Sequence, residues 1–247
     1  MYTRRRSSVQ LYIESNGEAT LEELHSMFPE LSVMTLRRDL IALENAGVVR
    51  RTQGGAVALK RTLHTEQSSE KTRSNLYIAS LAVPLLQSHR STYLDAGDVS
   101  LCLARMLPDQ PFSFVTGAPD IALELLQQPQ CDITLLGGQL QRDSLCSTGS
   151  SALSQLESLN IDTALLSAQG FSLKSGFCCV PFSQNELKRT ICKRARRDIE
   201  LLDVDNLERT LPLSFANLDD IDALVMSGFP GEQLATACVR NAVDLVF

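Results

Sequence analysis

Residues 35–57, TLRRDLIALENAGVVRRTQGGAV, carry two arginine pairs, Arg37-Arg38 and Arg50-Arg51, in a chain of 247 residues whose formal net charge is -6. The first part of this stretch has apolar residues at helical spacing. The segments VVRRT and AVAL flank QGG and predict a short β-hairpin directly after the helix. This order of helix and hairpin decides the fold of the first part of the chain.

Two more helical patterns, RRRSSVQLYIES and TLEELHSMF, come before the third helix. Thr20 and Glu23 have the spacing of a capping box at the start of the second helix. Ser32 is a suitable N-cap for the third helix, and Gly47 is a suitable residue to end it. Three helices and a hairpin within residues 1–60 predict a winged helix-turn-helix domain.

The third helix has a predicted buried stripe on one side and two arginines on the other. The residues of the stripe are Val33, Leu36, Leu40 and Leu43. Three and four residues away from Arg37 and Arg38 there is no acidic residue, so an intrahelical ion pair is not available to either of them. The two arginines are therefore predicted to be free to bind an anion from outside the chain.

A winged helix-turn-helix places the first turns of its third helix in the DNA major groove, where Arg can bind guanine or a phosphate. The hairpin then contacts the DNA backbone. Arg4, Arg5 and Arg6 are either further phosphate contacts or simply a basic terminus. The predicted DNA-binding residues are Ser32, Met34, Thr35, Arg37, Arg38, Arg50, Arg51 and Gln53.

The rest of the chain has a different pattern and a different charge. Residues 61–75 are rich in Ser, Thr, Glu and Lys and predict an exposed linker. In residues 76–247, short apolar runs alternate with helical patterns, and several of these runs end in Gly. That alternation predicts an α/β domain with a Rossmann-like, mostly parallel sheet and a site at the carboxyl ends of its strands. Most of the negative charge lies in this second part.

The composition excludes several classes of protein. There is no apolar run long enough to cross a bilayer and no secretory signal pattern, so we expect a cytoplasmic protein without membrane contact. Seven cysteines without a C-x-x-C pair predict reduced thiols. Three scattered histidines predict no metal site, and no cofactor is expected.

The stretch LSVMTLRRDLIALENAGVVRRTQGGAV resembles the N-terminal signature of DeoR-type bacterial transcriptional regulators. That resemblance implies a second domain similar in fold to ribose-5-phosphate isomerase, which binds a phosphorylated sugar. The segments YLDAGDVS, FVTGAPDIA, LLGGQLQRDSLCSTG, GFCCVPFSQNELKRT and LLDVDNLER occupy the places of the family's ligand-binding segments. The effector-binding residues that this resemblance implies are Asp95, Gly97, Asp98, Thr116, Gly137, Gly138, Lys188 and Asn206.

Four residues depart from the family pattern where a phosphate would be held: Asp98, Gly117, Gln184 and Asn206. A carboxylate at Asp98 is expected to cap the helix that follows and to repel a phosphate dianion. Asn206 stands where the family has a lysine. There are two alternatives to a phosphorylated sugar. The effector has hydroxyls or a cationic group, or the domain has lost its ligand. The DAGDVS and LLGG segments also have a purely structural interpretation as strand-to-helix turns.

These observations predict a DNA-binding transcriptional repressor of carbohydrate-metabolism genes whose affinity for its operator depends on a small molecule. Because a single small DNA-binding domain contacts few base pairs, a homo-oligomer is expected. The rival hypothesis is a sugar-phosphate isomerase in which Asp95 is the general base. A third possibility is a regulator whose second domain has lost its ligand.

Overall fold

The computed structural model describes residues 6, 9, 12–13, 18–29, 31–45, 49–52, 54–58 and 69–247. The chain divides into two compact units, unit 1 (Met1–Thr65) and unit 2 (Glu66–Phe247). Within the described ranges, no helix combines the length and the apolar character that crossing a membrane requires.

Unit 1 contains two complete helices and a small antiparallel sheet in the strand order β1-β3-β2. Arg6, Val9, Tyr12 and Ile13 also have helical conformation. The elements are β1 (Glu18–Thr20), α1 (Leu21–Met27), α2 (Val33–Asn45), β2 (Val49–Arg51) and β3 (Gly55–Ala58). Its core consists of Val9, Ile13, Ala19, Leu24, Leu36, Leu40, Leu43, Val49 and Ala56.

The predicted helix starts are confirmed. Thr20 Oγ1 accepts the Glu23 N–H at 3.1 Å, and a Glu23 carboxylate oxygen accepts the Thr20 N–H at 2.7 Å. Ser32 Oγ accepts the Thr35 N–H at 3.2 Å, as an N-cap does. Val33, however, was predicted to be buried and is 40% exposed, because it begins α2 and lies in a turn that the small core does not cover. The predicted helix end at Gly47 lies outside the described residues.

Strand β1 was not predicted, and it makes the sheet three-stranded where a two-stranded hairpin was expected. It pairs antiparallel with β3, with Ala19 opposite Ala56 and Thr20 opposite Gly55. A Cβ atom on Gly55 would lie 2.0 Å from the Ala19 carbonyl oxygen. Gly55 is therefore required by the close approach of β1, in addition to its place beside the hairpin turn.

Unit 2 is built around a seven-stranded sheet whose strands all pair in parallel, in the order β15-β14-β12-β9-β4-β5-β6. This confirms the predicted α/β class. The sheet strands are β4 (Ser91–Leu94), β5 (Phe112–Thr116), β6 (Cys131–Leu135), β9 (Thr163–Ser167), β12 (Arg197–Leu202), β14 (Ala223–Met226) and β15 (Asp244–Val246).

Helices and small antiparallel pairs connect these strands. The helices are α3 (Ser69–Ala82), α4 (Asp98–Arg105), α5 (Pro119–Leu125), α6 (Ser150–Ser158), α7 (Phe182–Arg194) and α8 (Glu232–Arg240), with 3-10 turns at Val83–Leu85, Val204–Asn206 and Leu218–Asp220. The short strands are β7 (Gln139–Leu140) with β8 (Ser147–Thr148), and β10 (Gly170–Ser172) with β11 (Gly176–Cys178) and β13 (Ser214–Ala216).

The predicted linker over residues 61–75 is wrong in its last part, because residues 69–75 form the first half of α3. The polar residues of this segment suggested a linker, yet Asn75 among them is buried.

The strand order reverses between β4 and β9. From β4 the chain adds β5 and β6 on one side, and it then returns to place β9, β12, β14 and β15 on the other. In open parallel sheets, ligands bind outside the carboxyl ends of the strands at such a switch point. The ends of β4 and β9 are therefore the place to look for a site in unit 2.

Candidate functional sites

The first two turns of α2 present a polar and cationic surface. Arg37 and Arg38 are exposed, and neither forms an ion pair with another residue in the described part of the chain. Met34 is 59% exposed beside them, Ser32 is exposed, and Thr35 is half-buried. An uncompensated pair of guanidinium groups in a helix's first turns is suited to bind an anion.

Asp39 follows the arginine pair but has a different role. Its side chain is fully buried, and Arg6 Nε donates to Asp39 Oδ1 at 3.0 Å. The contact ties α2 to the first helical segment, so Arg6, weighed above as a phosphate contact, has a structural role. Arg4 and Arg5 lie outside the described residues. No sequence pattern indicated the contact between Arg6 and Asp39, because the two residues are 33 positions apart in the chain.

The two arginines of β2 differ from each other. Arg50 is exposed, whereas Arg51 donates from Nε to a Glu44 carboxylate oxygen at 2.6 Å. The other Glu44 oxygen accepts the Arg51 backbone N–H at 2.9 Å. Hydrogen bonds from the Arg51 side chain and backbone lower the pKa of Glu44 below its ordinary value. Arg51, predicted as a contact to the DNA backbone, is thus bound to Glu44 in this structure. Gln53 lies outside the described residues.

In unit 2, Asp95 and Lys188 form a buried ion pair at the switch point. Asp95 follows β4, and its Oδ2 accepts from Lys188 Nζ at 2.5 Å and from the Ser167 N–H at 3.0 Å. Lys188 Nζ also donates to the Ser167 carbonyl at the end of β9. Burial acts to lower the pKa of Lys188, but the Asp95 carboxylate, together with Cys179 and Glu200, raises this pKa above the ordinary value. The lysine is therefore positively charged, and its ammonium group is bound by the Asp95 carboxylate and the Ser167 carbonyl.

Two further predicted effector residues lie at the start of α4. Gly97 is the N-cap residue with a φ of 132°, a conformation that favours glycine, and Asp98 is the first helical residue. The expectation that Asp98 itself caps the helix is wrong, because the turn of the backbone takes place at Gly97. Asp98 still places a carboxylate in the first turn, where an incoming phosphate would meet negative charge.

Asn206 does not replace the charge of the lysine that the family has at this place. Its Nδ2 donates to the Ala168 carbonyl at 3.4 Å, and its Oδ1 accepts from Arg209 at 3.4 Å. Arg209 is exposed. Asn206 thus links the chain that follows β12 to the residue that follows β9.

The end of β5 contains Thr116 and, directly after it, Gly117, and both residues have close contacts within the chain. Thr116 is fully buried, and its Oγ1 accepts the Ala118 N–H at 3.1 Å. A Cβ atom on Gly117 would lie 3.0 Å from Cys146 Sγ and 3.2 Å from the Ser147 carbonyl oxygen. The space beside Gly117, where the family has an asparagine, is taken by Cys146 in this chain.

The LLGG glycines have structural contacts of their own. The Gly137 N–H donates to Gln155 Oε1 at 3.0 Å. Gly138 has a φ of 150°, and a Cβ atom there would lie 2.6 Å from the Thr148 carbonyl oxygen. These contacts support the interpretation of LLGG as a turn, since each glycine is accounted for without a ligand.

Asp203 was not among the predicted site residues, yet it connects three elements. Its Oδ2 accepts from Ser74 Oγ on α3 at 2.6 Å, and its Oδ1 accepts from Ser227 Oγ at 3.0 Å. Asp203 lies in LLDVDNLER, one of the segments that the resemblance to the family singled out, and this was a usable signal. Ser74 had none, because it falls in the segment predicted as linker. No group of three or more His, Cys, Asp or Glu among the described residues is arranged to hold a metal ion.

Unit 1 has the architecture of a winged helix-turn-helix with the exposed Arg37 and Arg38 at the start of α2. Unit 2 is an α/β fold with a polar site at its switch point. Together they define a regulator-type protein with a DNA-binding and a sensor domain. Two family models match: "DeoR-like helix-turn-helix domain" over residues 5–62 and "DeoR C terminal sensor domain" over residues 67–228. Because the second match alone covers more than half of the chain, this protein belongs to the DeoR family.

Known relatives agree with this membership. The HTH-type transcriptional regulator GlpR of Haloferax volcanii is 30% identical over 230 residues, which cover 91% of this chain and 89% of that protein. The HTH-type transcriptional repressor GlcR of Bacillus subtilis is 28% identical over 253 residues, covering 100% and 96%. Among solved structures, ribose 5-phosphate isomerase A of Methanocaldococcus jannaschii matches with a TM-score of 0.42 at 14% identity, over 58% of this chain and 57% of that one.

Proposed function

We propose that this protein represses transcription by binding an operator through α2 and β2 of unit 1, and that a small molecule bound to unit 2 controls the affinity. The observation that carries the proposal is the exposed Arg37-Arg38 pair, which has no acidic partner in the described part of the chain. The repressor name of the relative GlcR supports repression over activation. We propose a cytoplasmic location, because the proposed binding to chromosomal DNA requires it.

Arg37→Ala and Arg38→Ala test the DNA contact. We expect each variant to weaken operator binding by about 1–3 kcal/mol if the residue reads a base, because a bidentate contact to guanine is lost. The measurement is a fluorescence anisotropy titration of the full-length protein with the operator fragment and with a scrambled duplex. Arg90→Ala, an exposed arginine of unit 2, is the matched control and leaves the affinity unchanged. Wild-type affinity in both reader variants would refute the assignment.

The Glu44–Arg51 contact leads to a second prediction about the wing. Glu44→Gln removes the carboxylate that binds Arg51. It also removes one negative charge from the surface that is proposed to contact the DNA backbone. We expect tighter binding to operator and scrambled duplexes alike, with a salt dependence steeper by roughly one counterion. Arg50→Ala should have the opposite effect, weakening both complexes and flattening the salt dependence. Salt titrations of the two variants measure both effects, and an unchanged Glu44→Gln slope would show that Arg51 does not approach phosphate.

The proposed effector site lies around Asp95 and Lys188, with Gly97, Asp98, Thr116 and Asn206 near the neighbouring strand ends. We propose a sugar or sugar-like molecule as the ligand. A general-base role for Asp95 is not supported, because its Oδ2 is bound by an ammonium group and by a backbone N–H. We therefore propose binding and not isomerisation as the activity of unit 2.

Control by a ligand requires that the ligand prefers one arrangement of the protein over another. We propose that unit 2 also forms a homo-oligomer. The small size of unit 1 supports this proposal, because a single small DNA-binding domain contacts too few base pairs for useful specificity. Winged and other helix-turn-helix proteins accordingly bind paired half-sites as dimers.

A further inference from the structure

Asp95 and Glu200 lie in one row on the same face of the large sheet. In the ladder between β4 and β9, Leu94 is opposite Leu165, and the Asp95 N–H continues it by donating to the Leu165 carbonyl at 3.1 Å. The next row therefore joins Asp95 to Leu166, which is in turn opposite Glu200 on β12. Residues in one row of a parallel sheet point to the same face, and two strand spacings separate Asp95 and Glu200 by about 10 Å between Cα atoms.

Lys188 approaches this row from α7. Its ammonium group binds Asp95 and the Ser167 carbonyl, and it also acts electrostatically on Glu200. Its side chain is almost fully buried, and its Nζ lies 5.3 Å from the centre of the Phe215 ring. Lys188 thus lies within range of two carboxyl groups but is bonded to only one of them.

Glu200 is a buried group whose polar atoms are not used. It is 0% exposed, and neither of its side-chain oxygens has a hydrogen-bond partner among the described residues. Its row partners on β9 and β14 are Leu166 and Leu224. A buried carboxyl without a hydrogen bond costs free energy of folding, which an apolar residue in this row would not.

The protonation of Glu200 follows from these surroundings. Burial raises its pKa well above the ordinary value, the charge on Lys188 acts to lower it, and Asp198 and Asp95 act to raise it. Glu200 in turn acts to raise the pKa of two nearby thiols, those of Cys192 on α7 and Cys179 after β11. Burial therefore favours the neutral form of Glu200 while Lys188 is bound to Asp95.

We propose that Lys188 exchanges between two carboxyl groups: it binds Asp95 in this structure and moves to Glu200 when an effector takes its place on Asp95. As the ammonium group arrives, Glu200 releases its proton to solvent, and a Lys188–Glu200 ion pair replaces the Lys188–Asp95 pair. The Asp95 carboxylate keeps its negative charge, which a cationic effector neutralises and a hydroxyl effector stabilises by hydrogen bonds. Asp95 is then free to accept hydrogen bonds from the effector.

The exchange defines the chemistry of the effector. The group that replaces the lysine on Asp95 has to be a donor, either a hydroxyl or an ammonium group. A phosphate would instead face the carboxylates of Asp95 and Asp98. This part of the inference rests on the proposed function, whereas the exchange of Lys188 is a property of unit 2 by itself and can be tested without a ligand.

A double-variant cycle in the full-length protein tests the exchange. Glu200→Gln alone should shift the melting temperature by less than about 2 °C, since Lys188 stays on Asp95. Asp95→Asn should lower it only by about 5 °C, because Lys188 moves to Glu200. The double variant leaves the lysine without a carboxylate and should lose about 8 °C more than the sum of the single shifts.

Asp198→Asn combined with Asp95→Asn is the matched control. Asp198 is a buried carboxyl two residues earlier on the same strand face, so its combination with Asp95→Asn should be additive. An additive shift for the Glu200 pair would overturn the exchange. So would a Glu200 side-chain ¹³C carboxyl resonance that stays in the protonated position at neutral pH in Asp95→Asn, a measurement that stands even if the double variant fails to fold. Operator binding by the arginine variants is independent of this cycle, so each proposal can fail alone.

Discussion

Lys188→Met should lower the free energy of unfolding of unit 2 by about 3–5 kcal/mol. The substitution leaves the Asp95 carboxylate buried without its cation and removes the donor to the Ser167 carbonyl. Methionine fits the volume of the lysine stem, so the loss reports the missing charge more than missing packing. Urea denaturation of the full-length protein, followed by far-UV circular dichroism, measures the effect.

Lys193→Met is the control for this experiment, because Lys193 is an exposed lysine on the same helix and should change stability by less than about 0.5 kcal/mol. Adding Asp95→Leu to Lys188→Met should recover most of the loss, since a buried ion pair can be replaced by apolar residues at little cost. A loss in Lys188→Met no larger than in the control would show that the pair does not hold the strand ends together.

Asp198→Asn should stabilise unit 2, and the gain should depend on pH. Burial raises the pKa of Asp198 to about 8, with Asp222 and Asp220 adding to the shift, and one of its oxygens has no hydrogen-bond partner among the described residues. The folded state therefore binds a proton more tightly than the unfolded chain. This contribution to stability is fully present below about pH 4 and is lost as the pH rises to about 8.

The expected gain for Asp198→Asn is on the order of 2–3 kcal/mol near pH 8 and much less near pH 5, because asparagine never has to become charged. Denaturation curves at both pH values measure it. Asp219→Asn, an exposed carboxylate close to the same end of the sheet, serves as the control and should show no such pH dependence. An equal gain at both pH values would mean that Asp198 is already ionised in the folded protein near pH 5.

The parts of unit 1 that depend on local sequence were predictable. A capping box and an N-cap need partners only three residues away, so Thr20, Glu23 and Ser32 could be recognised from spacing alone. The contact of Arg6 with Asp39 and the pairing of β1 with β3 join distant residues, and no periodicity indicates them. The short strand β1 also has too few residues to show an alternating pattern.

In unit 2 the parallel sheet was predictable, since strands and helices alternate along the chain. Asp95 and Lys188 were singled out only through the resemblance to a family, because they are 93 positions apart. Glu200 was missed, although an acidic residue directly between Ile199 and Leu201 was a visible signal. Its importance depends on which residues lie opposite it on β9 and on α7, which is information that only the fold supplies.

The hydrogen bond between Ser74 and Asp203 has a practical consequence for anyone who wishes to separate the two units. Ser74 belongs to the first turns of α3. The composition of the sequence, however, predicts a domain boundary at residue 76, which would assign Ser74 to the linker. A sensor fragment that starts there would lose half of this helix and one partner of the Asp203 carboxylate. Chimeras that exchange DNA-reading domains between relatives should therefore be joined before Ser69.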